Sequence, residues 1–154
     1  MELKFRVFAF ISKPVHEVFE AVADPEQLSH YFTTGGAKGR LEEGAKVTWD
    51  FHDFPGAFPV WVKEVVPDER IVLEWRTIEK NEAGEPLDRH TTVTMGFKPT
   101  DDGRTMVEIA EEGWRETPPG LQASYGNCMG WSQMLASLKV WLEHGINVRQ
   151  GLYK

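Results

Sequence analysis

Late in this chain the hydrophobic period changes. Apolar side chains fall at every second position in a series of short runs that ends near residue 112, and from residue 121 onward at every third or fourth. Leu121, Tyr125, Cys128, Trp131, Leu135, Leu138 and Leu142 mark one stripe of a helix of about six turns. Such a helix either closes a core or roofs a pocket, and the runs before it supply the surface it needs. Gly145 stands where a C-cap belongs, whereas Gly126 and Gly130 weaken the N-terminal half, each by about 1 kcal/mol relative to Ala. Glycines there imply a loose helix end or a close approach to a neighbour.

The earlier runs read as strands. Leu3, Phe5, Val7, Ala9 and Ile11 alternate with Lys4 and Arg6, and Val47, Trp49 and Phe51 alternate with Thr48 and Asp50. "VWVKEVV", "IVLEWRTI", "HTTVTMGFK" and "RTMVEIAEE" follow, separated by the polar turns "PDER", "NEAGEP" and "PTDDG". Short turns between successive strands imply an antiparallel meander. The stretch "DFPGAFP", Asp53 to Pro59, interrupts the pattern with two prolines and a glycine, so it is expected to be a loop carrying Phe54 and Phe58. Between the first two strands, Pro14 opens a helical stripe of Val15, Val18, Phe19 and Val22. Asp24 and Pro25 then start a second short helix, with Gln27 in the capping-box position.

Composition narrows the class. At 154 residues, 41% of them hydrophobic, one domain spanning 1–154 with a continuous core is expected. A net charge of -7 disfavours nucleic acid and anionic membrane, whose binding rests on a basic surface. Cys128 is the only cysteine, which leaves no intramolecular disulfide and no paired-thiolate zinc site, and suits a reducing, cytoplasmic setting. The N-terminal apolar run is broken by Glu2, Lys4 and Arg6, unlike a signal sequence or a membrane span. His16, His30, His52, His90 and His144 share no ligand spacing, so neither a metal nor another cofactor is expected.

The order of strand, two short helices, a run of strands and one long helix, with "ISKPVHEVFEAVADPEQLSHYF" at one end and "GWSQMLASLKVWLEHG" at the other, resembles the START-like (SRPBCC) superfamily. Within it the chain resembles homologues of the activator of the heat-shock-protein-90 ATPase, over nearly its whole length. Pro14, the pair Asp24 and Pro25, the aromatic pair Tyr31 and Phe32, the "VKEVVPDERIVLEW" stretch ending in Trp75, and Gly130 with Trp131 match that family's pattern. The resemblance implies an α+β helix-grip fold: a curved antiparallel sheet wrapped around the long C-terminal helix, with two short helices after the first strand. Within "GRTMVEIAEEGW" the family often carries a His where this chain has Glu111.

A curved sheet facing a helix leaves an internal space, and the aromatic residues Trp49, Phe51, Trp75, Tyr125 and Trp131 are candidates to line it. Ordinary core packing accounts for each of them equally well. Leu121 and Cys128 belong to the same helical stripe, and Cys128 reads as a small buried hydrophobe rather than a nucleophile. Phe54 and Phe58 are expected over the pocket mouth. If Val107 and Ile109 face inward, so does Glu111, whose pKa burial would raise unless Arg76 or Arg115 paired with it. If instead the strand ends at Ala110, Glu111 is solvated at the rim.

No catalytic motif is visible. The reading is a binder of a small, mostly hydrophobic molecule in an internal cavity. One rival is an enzyme like the polyketide cyclases and dehydratases of the superfamily, with Glu111 moving protons. Another, implied by the resemblance to chaperone-ATPase activators, is a stress-response interaction module whose partner is a chaperone or a second copy of the chain.

Overall fold

The computed structural model describes residues 1–154. Strand β1 (Lys4–Ile11) leads into helix α1 (Val15–Ala23) and the single-turn α2 (Pro25–Leu28). Six strands follow: β2 (Gly36–Lys38), β3 (Lys46–Phe51), β4 (Phe54–Val66), β5 (Arg70–Arg76), β6 (His90–Pro99) and β7 (Thr105–Glu112). Helix α3 (Pro118–His144) comes last among these elements. All seven strands form one curved antiparallel sheet in the order β1-β7-β6-β5-β4-β3-β2, so the meander holds from β2 to β7 and the first strand pairs with the last. This is the helix-grip architecture.

Local chemistry explains the boundaries. Pro25 occupies the first turn of α2, where the Asp24 carboxylate accepts a hydrogen bond from Glu26 N at 2.9 Å. Gln27 makes no return bond of the capping-box kind. Thr117 caps α3 by accepting from Gly120 N at 3.2 Å, which starts the helix three residues before Leu121. Gly145 ends it in the left-handed conformation at φ 69°, its N–H donating to the Trp141 carbonyl at 2.8 Å.

The segment from Asp53 to Pro59 departs from the sequence expectation. Phe54 to Pro59 belong to β4, which is 13 residues long, and only His52 and Asp53 turn the chain. Phe58 pairs with Trp49 and Phe54 with Phe51, so three residues of β4 stand opposite the single Asp50 of β3. The prolines are tolerated because they fall in or beside this irregularity, where ladder bonds are already missing, and Gly56 takes the φ of 123° that it requires. A second register shift, between Val62 and Glu64, adds to the bend of β4.

The concave face of the sheet and α3 share one core. Ile11, Trp49, Leu73, Met95 and Ile109 from the sheet meet Trp131, Leu135 and Leu138 from the helix, all essentially inaccessible to solvent. Burying a leucine such as Leu138 contributes about 2 kcal/mol through the apolar area removed from water.

Candidate functional site

The sheet and α3 do not meet along their whole length. Between the β3–β5 half of the sheet and the N-terminal half of α3 lies a cavity of about 620 Å³. Phe51 from β3, Phe54, Phe58 and Pro59 from β4, Trp75 from β5, and Phe32 from the turn after α2 form most of its wall. Helix α3 contributes Gly126, Asn127, Met129, Gly130, Trp131 and Met134, while Arg149 and Tyr153 close one side from the chain beyond the helix. The rings pack on one another: Phe51 stacks on Phe58 at 5.8 Å, and Trp131 lies 5.2 Å from Trp75 and 5.3 Å from Phe32.

Two glycines make this space. A Cβ built on Gly130 meets nothing within 4 Å, and one on Gly126 meets only Ile78 Cδ1 at 3.9 Å. Neither has a positive φ, so the backbone does not require glycine at either place. Gly120 differs: a Cβ there would lie 1.9 Å from the Arg115 carbonyl oxygen, so the first turn of α3 packs against the preceding loop only because the side chain is absent.

Behind the Trp75–Trp131 wall sits Glu111, with only 1% of its surface exposed. Its Oε1 accepts from Trp131 Nε1 at 2.8 Å, and its Oε2 from Thr91 Oγ1 at 2.6 Å and Trp75 Nε1 at 3.0 Å. Asn127 Nδ2 reaches both oxygens, at 3.2 and 3.0 Å. No cation joins the cluster, because Arg115 pairs with Glu79 and Arg76 reaches toward Asp88. Burial therefore raises the Glu111 pKa above the ordinary carboxylate value, and the bonds from Thr91, Trp75, Trp131 and Asn127 oppose that shift only in part.

A second buried polar pair ties down the chain end. Arg149 donates from its two terminal nitrogens to Asp53, at 2.6 and 2.9 Å, with both side chains almost fully covered. The guanidinium also lies over the rings of Tyr153, at 4.5 Å, and Phe51, at 5.6 Å. Arg149 holds the Asp53 carboxyl below the usual carboxylate range.

Of the residues singled out from sequence, Phe51, Phe54, Phe58, Trp75 and Trp131 line the cavity. Trp49 does not: it is buried one layer deeper, edge-on to Trp75 at 5.9 Å. Val107 and Ile109 face inward but are filled core. Glu111 faces inward on β7 yet is screened from the cavity by its own donors. Leu121, Tyr125 and Cys128 do not reach the wall, and Tyr125 is 59% exposed. The helical stripe misplaces them because small residues, Gly120, Ala123 and Ser124, take the buried positions in the first turns of α3. Tyr125 is turned outward there, and Leu121 and Cys128 are left half-buried.

The sequence reading missed Phe32, Asn127, Met134, Arg149 and Tyr153. Phe32 carried a signal as half of the aromatic pair after α2. Gly126 and Gly130 carried one too, but it marked open space rather than close approach. Nothing local signals Arg149, whose partner is 96 residues away.

A curved seven-stranded antiparallel sheet gripping one long C-terminal helix, with a cavity between them, defines the START-like class. The family described as Activator of Hsp90 ATPase homolog 1-like protein matches residues 12–143, and the chain belongs to that family. None of the curated proteins matches the chain. Among solved structures, a protein from Staphylococcus saprophyticus superposes with a TM-score of 0.75 at 23% identity, covering 96% of each chain. The Aha1 dimer from Colwellia psychrerythraea gives 0.72 at 18% identity, over 93% of this chain and 98% of that one. DynU16, from the dynemicin biosynthetic locus, gives 0.76 at 22% identity over 93% of this chain but 48% of its own. Likeness at such identities establishes the fold alone.

Proposed function

We propose that this protein binds a small, mostly apolar molecule in the cavity between the β3–β5 half of the sheet and α3. The observation that carries the reading is a cavity of about 620 Å³ walled by aromatic rings, with no carboxylate among its lining residues. A molecule with a flat apolar body fits such walls, since ring faces reward offset stacking and edge contacts beyond the area they bury. A cytoplasmic setting belongs to the same proposal. No helix is long and apolar enough to cross a membrane.

Catalysis by Glu111 receives less support. A buried ionisable group beside an open cavity is what a proton-transfer enzyme needs, but this carboxylate is already engaged by four residues, three of which stand between it and the space. It is placed to organise the wall rather than to touch a ligand.

The family and the apolar rim favour a second reading. Phe54, Ile78 and Met129 line the mouth and remain 59%, 63% and 53% exposed, a surface on which a chaperone or a second copy of the chain would find apolar purchase. Titration with an apolar fluorescent probe such as Nile red, followed by quenching of Trp75 and Trp131, separates the two. Saturable one-to-one binding supports the cavity, and native mass spectrometry of protein from its source should then reveal a retained ligand. No saturable binding, together with a concentration-dependent dimer in light scattering, would replace it with the interaction module.

A further inference from the structure

Three side chains that line the cavity carry an oxygen: Thr77, Asn127 and Tyr153. Thr77 Oγ1 donates to Glu79 Oε2 at 3.0 Å and accepts from Glu79 N at 3.2 Å. The Tyr153 hydroxyl donates to Gln133 Oε1. Both indoles of the wall direct their only N–H groups away, to Glu111. Asn127 Oδ1 is therefore the only oxygen on a lining side chain without a partner in the protein.

Which end of the Asn127 amide faces the cavity is set by chemistry. An ionised carboxylate can only accept, so the amide atom turned to both Glu111 oxygens has to be the nitrogen. The carbonyl oxygen is then the outward end, on a residue that lines the cavity. Thr91, Trp75 and Trp131 donate to the same carboxylate, so Glu111 is the acceptor toward each of its neighbours and the amide nitrogen fits that pattern.

We infer that Asn127 Oδ1 is the specificity contact of the cavity and that the natural ligand is an apolar, ring-bearing molecule with a hydroxyl or N–H donor, held in register by Glu111 acting through Asn127. This deepens the proposed function and rests on it. Glu111 is a positioning residue here, because it touches Asn127 and not the ligand. A ligand with only acceptors would meet oxygen against oxygen and leave a buried acceptor unsatisfied, which an aromatic wall cannot offset.

The test compares 1-naphthol with 1-methoxynaphthalene, which share a ring system but not the donor, by isothermal titration calorimetry. The wild-type protein should bind the naphthol about tenfold more tightly, the worth of one buried hydrogen bond. Asn127→Leu should reduce that ratio to near one without abolishing binding of the methyl ether. Glu111→Gln should lower it as well, because a carboxamide at 111 can donate and lets the Asn127 amide turn its nitrogen outward; circular dichroism checks that each variant is folded. Equal affinity of the two probes for wild type overturns the inference while leaving the cavity as a binding site. So does a preference that survives Asn127→Leu. If neither probe binds wild type, the cavity reading itself fails.

Discussion

Trp131 Nε1 lies 2.8 Å from Glu111 Oε1, a bond between the middle of α3 and the end of β7 that joins helix to sheet at the back wall of the cavity. Trp75 makes the matching bond from β5 to the other oxygen, at 3.0 Å. One carboxylate thus fixes the planes of both indoles and leaves their faces to the cavity. Polar contacts set the geometry of an apolar wall.

Removing that carboxylate should be costly. Glu111→Ala leaves the donors of Trp75, Trp131, Thr91 and Asn127 buried without an acceptor, and the expected loss is roughly 2–5 kcal/mol. Urea unfolding measures it. A loss below about 0.5 kcal/mol, the range of an ordinary surface substitution, would mean the cluster is not organised around Glu111.

The pH dependence has a defined sign. With its native pKa raised above the ordinary value of 4.5, Glu111 holds its proton more tightly in the folded than in the unfolded chain. Its contribution to stability therefore grows as pH falls through the native pKa and levels off below about 4.5. Asp53, Glu20 and Glu143 have lowered pKa values and act in the opposite direction, losing their contribution in acid. Subtracting the urea midpoints of Glu111→Gln from those of wild type cancels these groups. The difference should move in favour of wild type as pH falls toward 4.5, and a difference independent of pH would contradict the raised pKa.

Gly130 offers a clean way to fill the cavity. Glycine to alanine there should raise stability by up to about 1 kcal/mol, because the helix gains propensity and the new methyl meets nothing. Gly130→Leu should lower the affinity for Nile red more than tenfold with the melting temperature preserved. Undiminished affinity in a folded Leu variant would place the probe elsewhere.

Breaking the Asp53–Arg149 pair should release the chain end. Arg149→Ala leaves a buried aspartate without its cation, at a cost of roughly 3–5 kcal/mol, and frees the segment that carries Tyr153. Hydrogen exchange in residues 146–154 should accelerate more than in α3. Uniform acceleration of both would mean the pair supports the whole fold rather than the cavity wall.

Phe54 marks the mouth. Its ring is 59% exposed and tilted against Tyr153 at 6.1 Å, so Phe54→Ser should change stability by less than about 1 kcal/mol while altering the rate of probe entry in stopped-flow fluorescence. A large stability loss with unchanged entry would make Phe54 a packing residue.

The order of elements was legible because it rests on local rules. The period-two runs, Pro25 behind Asp24, and Gly145 at the end of the last helical stripe each act over a few residues, and each marks an element or its boundary in the fold. Alternation with Val107 and Ile109 likewise turned Glu111 inward. What Glu111 meets was decided elsewhere, because alternation assigns a side chain to a face and is silent about the residues across from it. Thr91 and Trp75 come from β6 and β5, Asn127 and Trp131 from a helix whose rotation is a matter of tertiary packing, with the small residues Gly120, Ala123 and Ser124 turned inward in its first turns. That rotation put Asn127 on the wall and Tyr125 in solvent, against the apolar stripe. The expected loop from Asp53 to Pro59 became strand from Phe54 onward for the same reason: two prolines and a glycine forbid a regular ladder, but only the facing strand determines that an irregular one is good enough.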